Sequence, residues 1–191
     1  MEEFVALLEA QAGIPPEKFF QKMYPYALDV AAELEIPPSV SLAHWAVESG
    51  FESPKWVDYN NYGGITDGGP PHFRRYDTID DFIRDYIRVL RLPYYREVLE
   101  LAKQHAPAEE IARALGRSPW DAGHYGGDGK NLIAVMRRYN LSLFDPAWWA
   151  YRAWQWGVRR GVTDGTAPST VATREMVVAM LYRALVGEGR E

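Results

Sequence analysis

Pro38-Ser39-Val40-Ser41-Leu42-Ala43-His44-Trp45-Ala46-Val47-Glu48-Ser49-Gly50 is the stretch on which the fold turns. The Pro37-Pro38 pair closes the helical run before it, and a new helix is expected from Ser39, whose hydroxyl can cap it. Leu42, Trp45 and Ala46 supply its apolar face, and Gly50 marks its end. Glu48 falls in the last turn. There a carboxylate feels the negative end of the helix dipole, and Trp45 and Phe51 would strip water from it; both effects raise its pKa. A carboxyl group kept protonated in this way can donate to a glycosidic oxygen. On spacing alone a solvated helix-end glutamate is the commoner reading, since most glutamates perform no chemistry.

Outward from this segment the chain reads as helical. Residues 3–12 form a first helix, broken at 13–16, and a second runs from about 18 to 35. Periodicity vanishes over 55–75, where Asn60-Asn61, Gly63-Gly64, Gly68-Gly69 and Pro70-Pro71 supply turn chemistry. A short β-hairpin fits, with arms 62–66 and 72–76 around an Asp67-Gly68-Gly69 tip. Ile79, Phe82, Ile83, Tyr86, Ile87 and Leu90 follow the spacing of a core-facing helix. Further helices are expected near 94–104, 108–115 and, after a glycine-rich stretch, 130–139.

Composition narrows the function classes. Hydrophobic residues make up 47% and charged residues 25% of the 191, an ordinary globular balance. Seven Trp, twelve Tyr and seven Phe exceed what a small core needs, and flat aromatic faces stack on sugar rings or bases. There is no cysteine, which excludes disulfides, a thiol nucleophile and cysteine-held zinc. The net charge of −5 argues against nucleic acid as the partner. The N-terminus carries no basic-then-apolar secretory signal, and no membrane span is expected. Residues 1–145 hold 15 basic and 22 acidic groups, whereas 146–191 hold 6 and 4, so the tail leans towards a polyanion.

The segment from Pro38 to Gly50 resembles the "pSv.iAqa.lESgwG" motif of the peptidoglycan N-acetylglucosaminidases of glycoside hydrolase family 73. Further segments follow in the family's order. Asn61-Tyr62-Gly63-Gly64-Ile65 resembles "NlfGI", and Phe73-Arg74-Arg75-Tyr76-Asp77 with Asp85-Tyr86 resembles "FrkYdS…DY". Tyr94 to Leu99 resembles "RY..vl", and Trp120, Tyr125-Gly126, Leu132-Ile133 and Tyr139-Asn140-Leu141 resemble the family's last motif. The similarity spans about residues 20–142. It implies a mainly α, lysozyme-like α-lobe with a small β-hairpin lobe. Glu48 becomes the catalytic acid and Tyr125 positions substrate or transition state. Asn61 and Gly64 shape the floor of the cleft, with Tyr62, Tyr76 and His124 as further substrate-binding candidates. For Tyr76, packing on the next helix is an equal reading.

The chain departs from the family at the hairpin tip, which is short and holds no Glu; Asp67 is its only acid, and Asp58 is the other nearby choice. An inverting course needs a base about 6.5–9.5 Å from the acid, and a retaining one a nucleophile at about 5 Å. A third course uses the substrate's own 2-acetamido group. An Asp67-based course and this one stand level on sequence. His44, His72, His105 and His124 lack metal-ligand spacing and read as surface or packing residues. Neither metal nor cofactor is called for.

The tail, from Phe144-Asp145-Pro146 through Trp154-Gln155-Trp156 to Thr173-Arg174-Glu175-Met176, resembles a single S-layer homology repeat. That resemblance implies attachment to an anionic secondary wall polymer through Arg174, Trp154 and Trp156. The bland reading is a helical pair packed on the first domain or on itself. Two parts are thus expected, a catalytic domain over 1–142 and a small helical wall-binding module over 146–191. In the latter, Val177, Met180, Leu181, Ala184 and Leu185 should face inward.

Together these resemblances describe a peptidoglycan hydrolase cutting the N-acetylglucosaminyl-β-1,4-N-acetylmuramic acid bond. The two-part layout without a signal resembles a phage endolysin, held in the cytoplasm until a holin opens the membrane. A muramidase or lytic transglycosylase is the nearest alternative; a non-catalytic wall-glycan-binding or structural protein is the alternative from another class.

Overall fold

Proline opens both helices that build the centre of the molecule. In the computed structural model, which describes residues 2–54, 56, 58–69, 72–120 and 125–185 (backbone only at 182 and 183), helix α1 spans Glu2–Ala10. Helix α2 (Pro16–Leu34) and α3 (Pro38–Ser49) each begin on a proline, whose fixed φ and missing N–H suit a first helical position. This moves the start of α3 one residue ahead of the expected Ser39. Pro37 offers no side-chain cap. The uncapped end is satisfied from far away, by Asp145, whose carboxylate accepts from the Ser39 backbone N–H at 2.8 Å and hydroxyl at 2.7 Å.

Helices α4 (Ile79–Leu90), α5 (Arg96–Lys103), α6 (Ala108–Gly116) and α7 (Lys130–Arg138) follow, with a 3-10 turn at Pro93–Tyr95 leading into α5. A full capping box between Thr78 and Asp81 starts α4. Every residue of α3 from Pro38 to Ala46 is buried, as befits a helix that is apolar nearly all round. It packs against α2 on one side and α6 and α7 on the other. Trp45, Phe82 and Tyr86 meet edge-on or tilted at 5.3–5.7 Å between centroids, holding α3 to α4.

The architecture is mainly helical, as expected, but the hairpin lobe is not formed as a pair of strands. Among the described residues its arms share one antiparallel bridge, Thr66 with Phe73. Three backbone hydrogen bonds border it: Asp67 N–H to the His72 carbonyl, Arg74 N–H to Ile65, and His72 N–H to Gly69. The glycine pairs on this short segment, with Gly64, Gly68 and Gly69 at positive φ, bend the chain out of the extended form a longer ladder needs.

After a 3-10 turn at Leu141–Phe144 and another at Trp148–Ala150 come α8 (Tyr151–Arg159) and α9 (Arg174–Leu185). Helix α8 lies along α2. Trp154 Nε1 donates to the Tyr24 hydroxyl at 2.9 Å, Gln155 Nε2 to Asp29 at 2.8 Å, and Arg159 pairs with Asp29. The inward face expected on α9 is not inward: Val177, Leu181 and Leu185 are 44, 54 and 82% exposed. Helix α8 instead turns Trp154 and Val158 into the main core. Thr173 does cap α9, its Oγ1 accepting from the Met176 N–H at 3.2 Å.

Candidate active site

Gly50, at φ +59 with its N–H on the Ala46 carbonyl, ends α3 and leaves Glu48 in the last turn. His44 lies one turn earlier on the same face, fully buried, while the Glu48 side chain keeps 15% of its surface open. Burial pushes the His44 imidazole down to about 3, which keeps it neutral at ordinary pH. Its Nε2 is 3.9 Å from Glu48 Oε1, a contact between a neutral ring and a carboxyl group.

Tyr125 reaches this pair from the other end of the domain. Its hydroxyl donates a short hydrogen bond to Glu48 Oε1 and lies 2.6 Å from His44 Nε2. The His44 Nδ1 is in turn 2.8 Å from the Tyr86 hydroxyl on α4. A continuous polar line therefore runs Tyr86, His44, Tyr125, Glu48. Tyr125 is held at its backbone, its carbonyl accepting from the Asn131 N–H at 2.8 Å. The glycine-rich turn behind it passes through positive φ at Gly126, Gly127, Asp128 and Gly129 before α7 begins.

Opposite Tyr125 stands Gly64. At φ +61 its backbone approaches the second carboxylate oxygen, Oε2, so closely that any Cβ there would collide with it. The loop is fixed from both sides. Asn61, buried, donates through Nδ2 to the Ile65 and Arg74 carbonyls at 2.8 and 2.9 Å and accepts from the Ile65 N–H at 2.9 Å. Trp120 donates through Nε1 to the Gly63 carbonyl at 2.8 Å and packs edge-on over His44 at 4.8 Å. One carboxylate oxygen of Glu48 is thus anchored, and the other faces a glycine backbone. That arrangement suits a group that exchanges a proton with a bound molecule from a fixed position.

The remaining sequence candidates fall in different places. Tyr62 is not brought to Glu48: its ring is buried between Phe19 and Phe82, and its hydroxyl donates to Glu52 at 2.9 Å beside Lys22. A buried carboxylate at Glu52 needs those donors, and they draw Tyr62 into the core. Tyr76 packs on Phe82 and donates to Asp85 at 2.7 Å, the packing arrangement. Asp67 is exposed and ion-paired with Arg74 at 2.6 Å, and Arg74 also holds Asp85 at 2.6 Å. Asp58 is exposed. His124 lies outside the described residues. Arg174 opens α9 on the surface, Trp156 is about half exposed, and Trp154 is the Tyr24 partner described above.

Sequence reasoning passed over His44 and treated Tyr86 as core. The available signal was the four-residue spacing of His44 and Glu48, which places both on one helix face. Among the described residues no cluster of His, Asp or Glu is arranged to hold a metal, and no helix is long and apolar enough to cross a membrane.

A family model described as Glucosaminidase, mannosyl-glycoprotein endo-beta-N-acetylglucosaminidase, matches residues 24–141. No curated protein and no solved structure matches the chain.

Proposed function

Since the chain belongs to the glucosaminidase family, whose match runs over residues 24–141 and contains Glu48, Gly64 and Tyr125, we propose that it hydrolyses the glycan strands of bacterial peptidoglycan at the N-acetylglucosaminyl-β-1,4-N-acetylmuramic acid bond. The observation that carries this reading is the Tyr125 hydroxyl bonded to Oε1 of Glu48, with Oε2 against Gly64. Glu48 is the general acid that protonates the glycosidic oxygen, and Tyr125 orients its carboxyl group and lines the reacting face. Asn61 and Gly64 shape the floor.

The position of Asp67, exposed and with its carboxylate engaged by Arg74 at 2.6 Å, favours the course in which the substrate's 2-acetamido group acts as nucleophile. The resemblance to glycoside hydrolase family 73 supports the bond assignment. The S-layer-like tail supports a two-part protein, with residues 146–191 retaining it on an anionic wall polymer through Arg174 and exposed tryptophans. This layout supports the part of a phage endolysin, released to the wall through a holin lesion.

The deciding experiment digests purified peptidoglycan with the full chain, reduces the products with borohydride and identifies the new ends by mass spectrometry. Reduced glucosamine is expected. Reduced muramic acid would instead make the protein a muramidase, anhydro-muramic acid a transglycosylase, and no product a binding protein. Glu48→Gln is expected to abolish cleavage while the fold and wall binding persist.

A further inference from the structure

The polar line behind Glu48 uses a buried histidine and a buried tyrosine for which the cleavage reaction itself has no role. We infer that His44 is a positioning residue, an Nε2–H imidazole that holds the Tyr125 hydroxyl on Oε1 of Glu48 and so confines the acid proton to Oε2. This inference rests on Glu48 being the catalytic acid.

With Glu48 Oε1 as the acceptor, hydrogen counting fixes the polarity of the rest of the line. The Tyr125 hydroxyl has one hydrogen, and it goes to Glu48 Oε1. Towards His44, at 2.6 Å, Tyr125 can then only accept, so Nε2 carries the N–H. A neutral ring has a single N–H, which leaves Nδ1 bare to accept from the Tyr86 hydroxyl at 2.8 Å. The surroundings of Tyr86 agree. Trp45, whose indole N–H can only donate, is buried against Tyr86 at 5.3 Å between ring centroids and competes for no proton of its hydroxyl. Burial holds the ring neutral, which the relay requires.

The opposite polarity is also self-consistent and differs in its chemistry. A proton on Glu48 Oε1 would point inward at Tyr125, Tyr125 would donate to Nε2, and Nδ1–H would face Tyr86. The acid proton would then be aimed into the protein, away from the Gly64 side. Trp120, edge-on to His44 and bonded to the Gly63 carbonyl, couples the imidazole plane to the loop that bounds Oε2.

The test compares wild type, His44→Gln, His44→Phe, Tyr86→Phe and Glu48→Gln on purified peptidoglycan, with reducing-end release against pH and with 15N spectra of the imidazole. The wild-type spectrum is expected to show a protonated Nε2 and a bare Nδ1; an Nδ1–H or charged ring would overturn the inference whether or not any variant folds. His44→Phe is expected to lower kcat on the order of 10- to 100-fold with KM little changed, because Tyr125 is no longer aimed. Its alkaline limb should move up in pH, since the Glu48 carboxylate loses a donor. Gln, whose amide offers both donor and acceptor, should restore both the rate and the limb. Tyr86→Phe should lower kcat with a mixed tautomer population. A His44→Phe enzyme with the wild-type rate and limb would overturn the inference, as would a glutamine variant as impaired as the phenylalanine one. An active Glu48→Gln enzyme would instead remove the assignment of the acid on which the relay depends.

Discussion

Asp145 caps the helix that carries Glu48 from 106 residues away, its two carboxylate oxygens taking the Ser39 backbone N–H and hydroxyl. Burial outweighs those two bonds and raises the Asp145 carboxyl to about 6, against an ordinary 3.8. The folded chain therefore binds this proton more tightly than the unfolded one. The contribution of Asp145 to stability is greatest below about pH 4 and declines as pH rises to about 6, by roughly 3 kcal/mol across the window. Asparagine keeps an acceptor for Ser39 without the charge. Urea unfolding at pH 4, 5.5 and 7 should show the wild-type stability, relative to Asp145→Asn, falling over that range; a constant difference would refute the linkage.

Gly64→Ala should leave the fold in place and remove most activity. The new methyl must enter the space of Glu48 Oε2 at a positive φ that costs a side chain about 1–2 kcal/mol. Displacing the acid by even an ångström should cost about 100-fold in kcat. Wild-type turnover in a variant with an unchanged melting curve would mean that Oε2 is not the reacting oxygen.

Tyr125→Phe retains the buried ring and deletes the hydroxyl. Glu48 loses its anchor and His44 Nε2 loses its partner, so kcat should fall about 100-fold or more, by analogy with removal of a preorganised donor. A drop in affinity for wall glycan at constant kcat would assign Tyr125 to binding alone.

The acetamido course can be separated from an aspartate course at Asp67. With its carboxylate exposed and paired with Arg74, Asp67→Asn should keep activity within about tenfold, whereas loss of a true nucleophile or base costs orders of magnitude more. A dead Asp67→Asn enzyme would make Asp67 the second catalytic group.

Two truncations divide the tail. A chain ending at 172 lacks α9, most of whose described side chains are exposed, and should keep its melting temperature while sedimenting less with walls. A chain ending at 145 also lacks α8, uncovers Tyr24 and Asp29 on α2, and should lose at least about 3 kcal/mol of stability. Equal stability of the two would show that α8 is a separate unit.

Local pattern carried much of this molecule. The periodicity of Ile79 to Leu90 located α4, and the proline and glycine punctuation around Pro38 and Gly50 located α3 to within a residue. Glu48 was legible because its placement is a matter of one helix. What escaped depends on partners distant in sequence: His44 reads as a packing residue until Tyr86 and Tyr125, 42 and 81 positions on, close around it. Ser39 looks like a cap and is itself capped, because the carboxylate that satisfies it comes from beyond the last motif. Trp154 belongs with the tail by composition and with α2 by packing, since an indole that can bond to Tyr24 while filling the core is held there.

On the proposed reading, Glu48 acts only in concert with Tyr125. Glu48 leaves the ribosome well before Tyr125, and the 76 residues between them must be made before the two can meet. On that reading, fragments that stop short of residue 125 carry the carboxyl group without the hydroxyl that orients it, and activity waits on the late part of the domain.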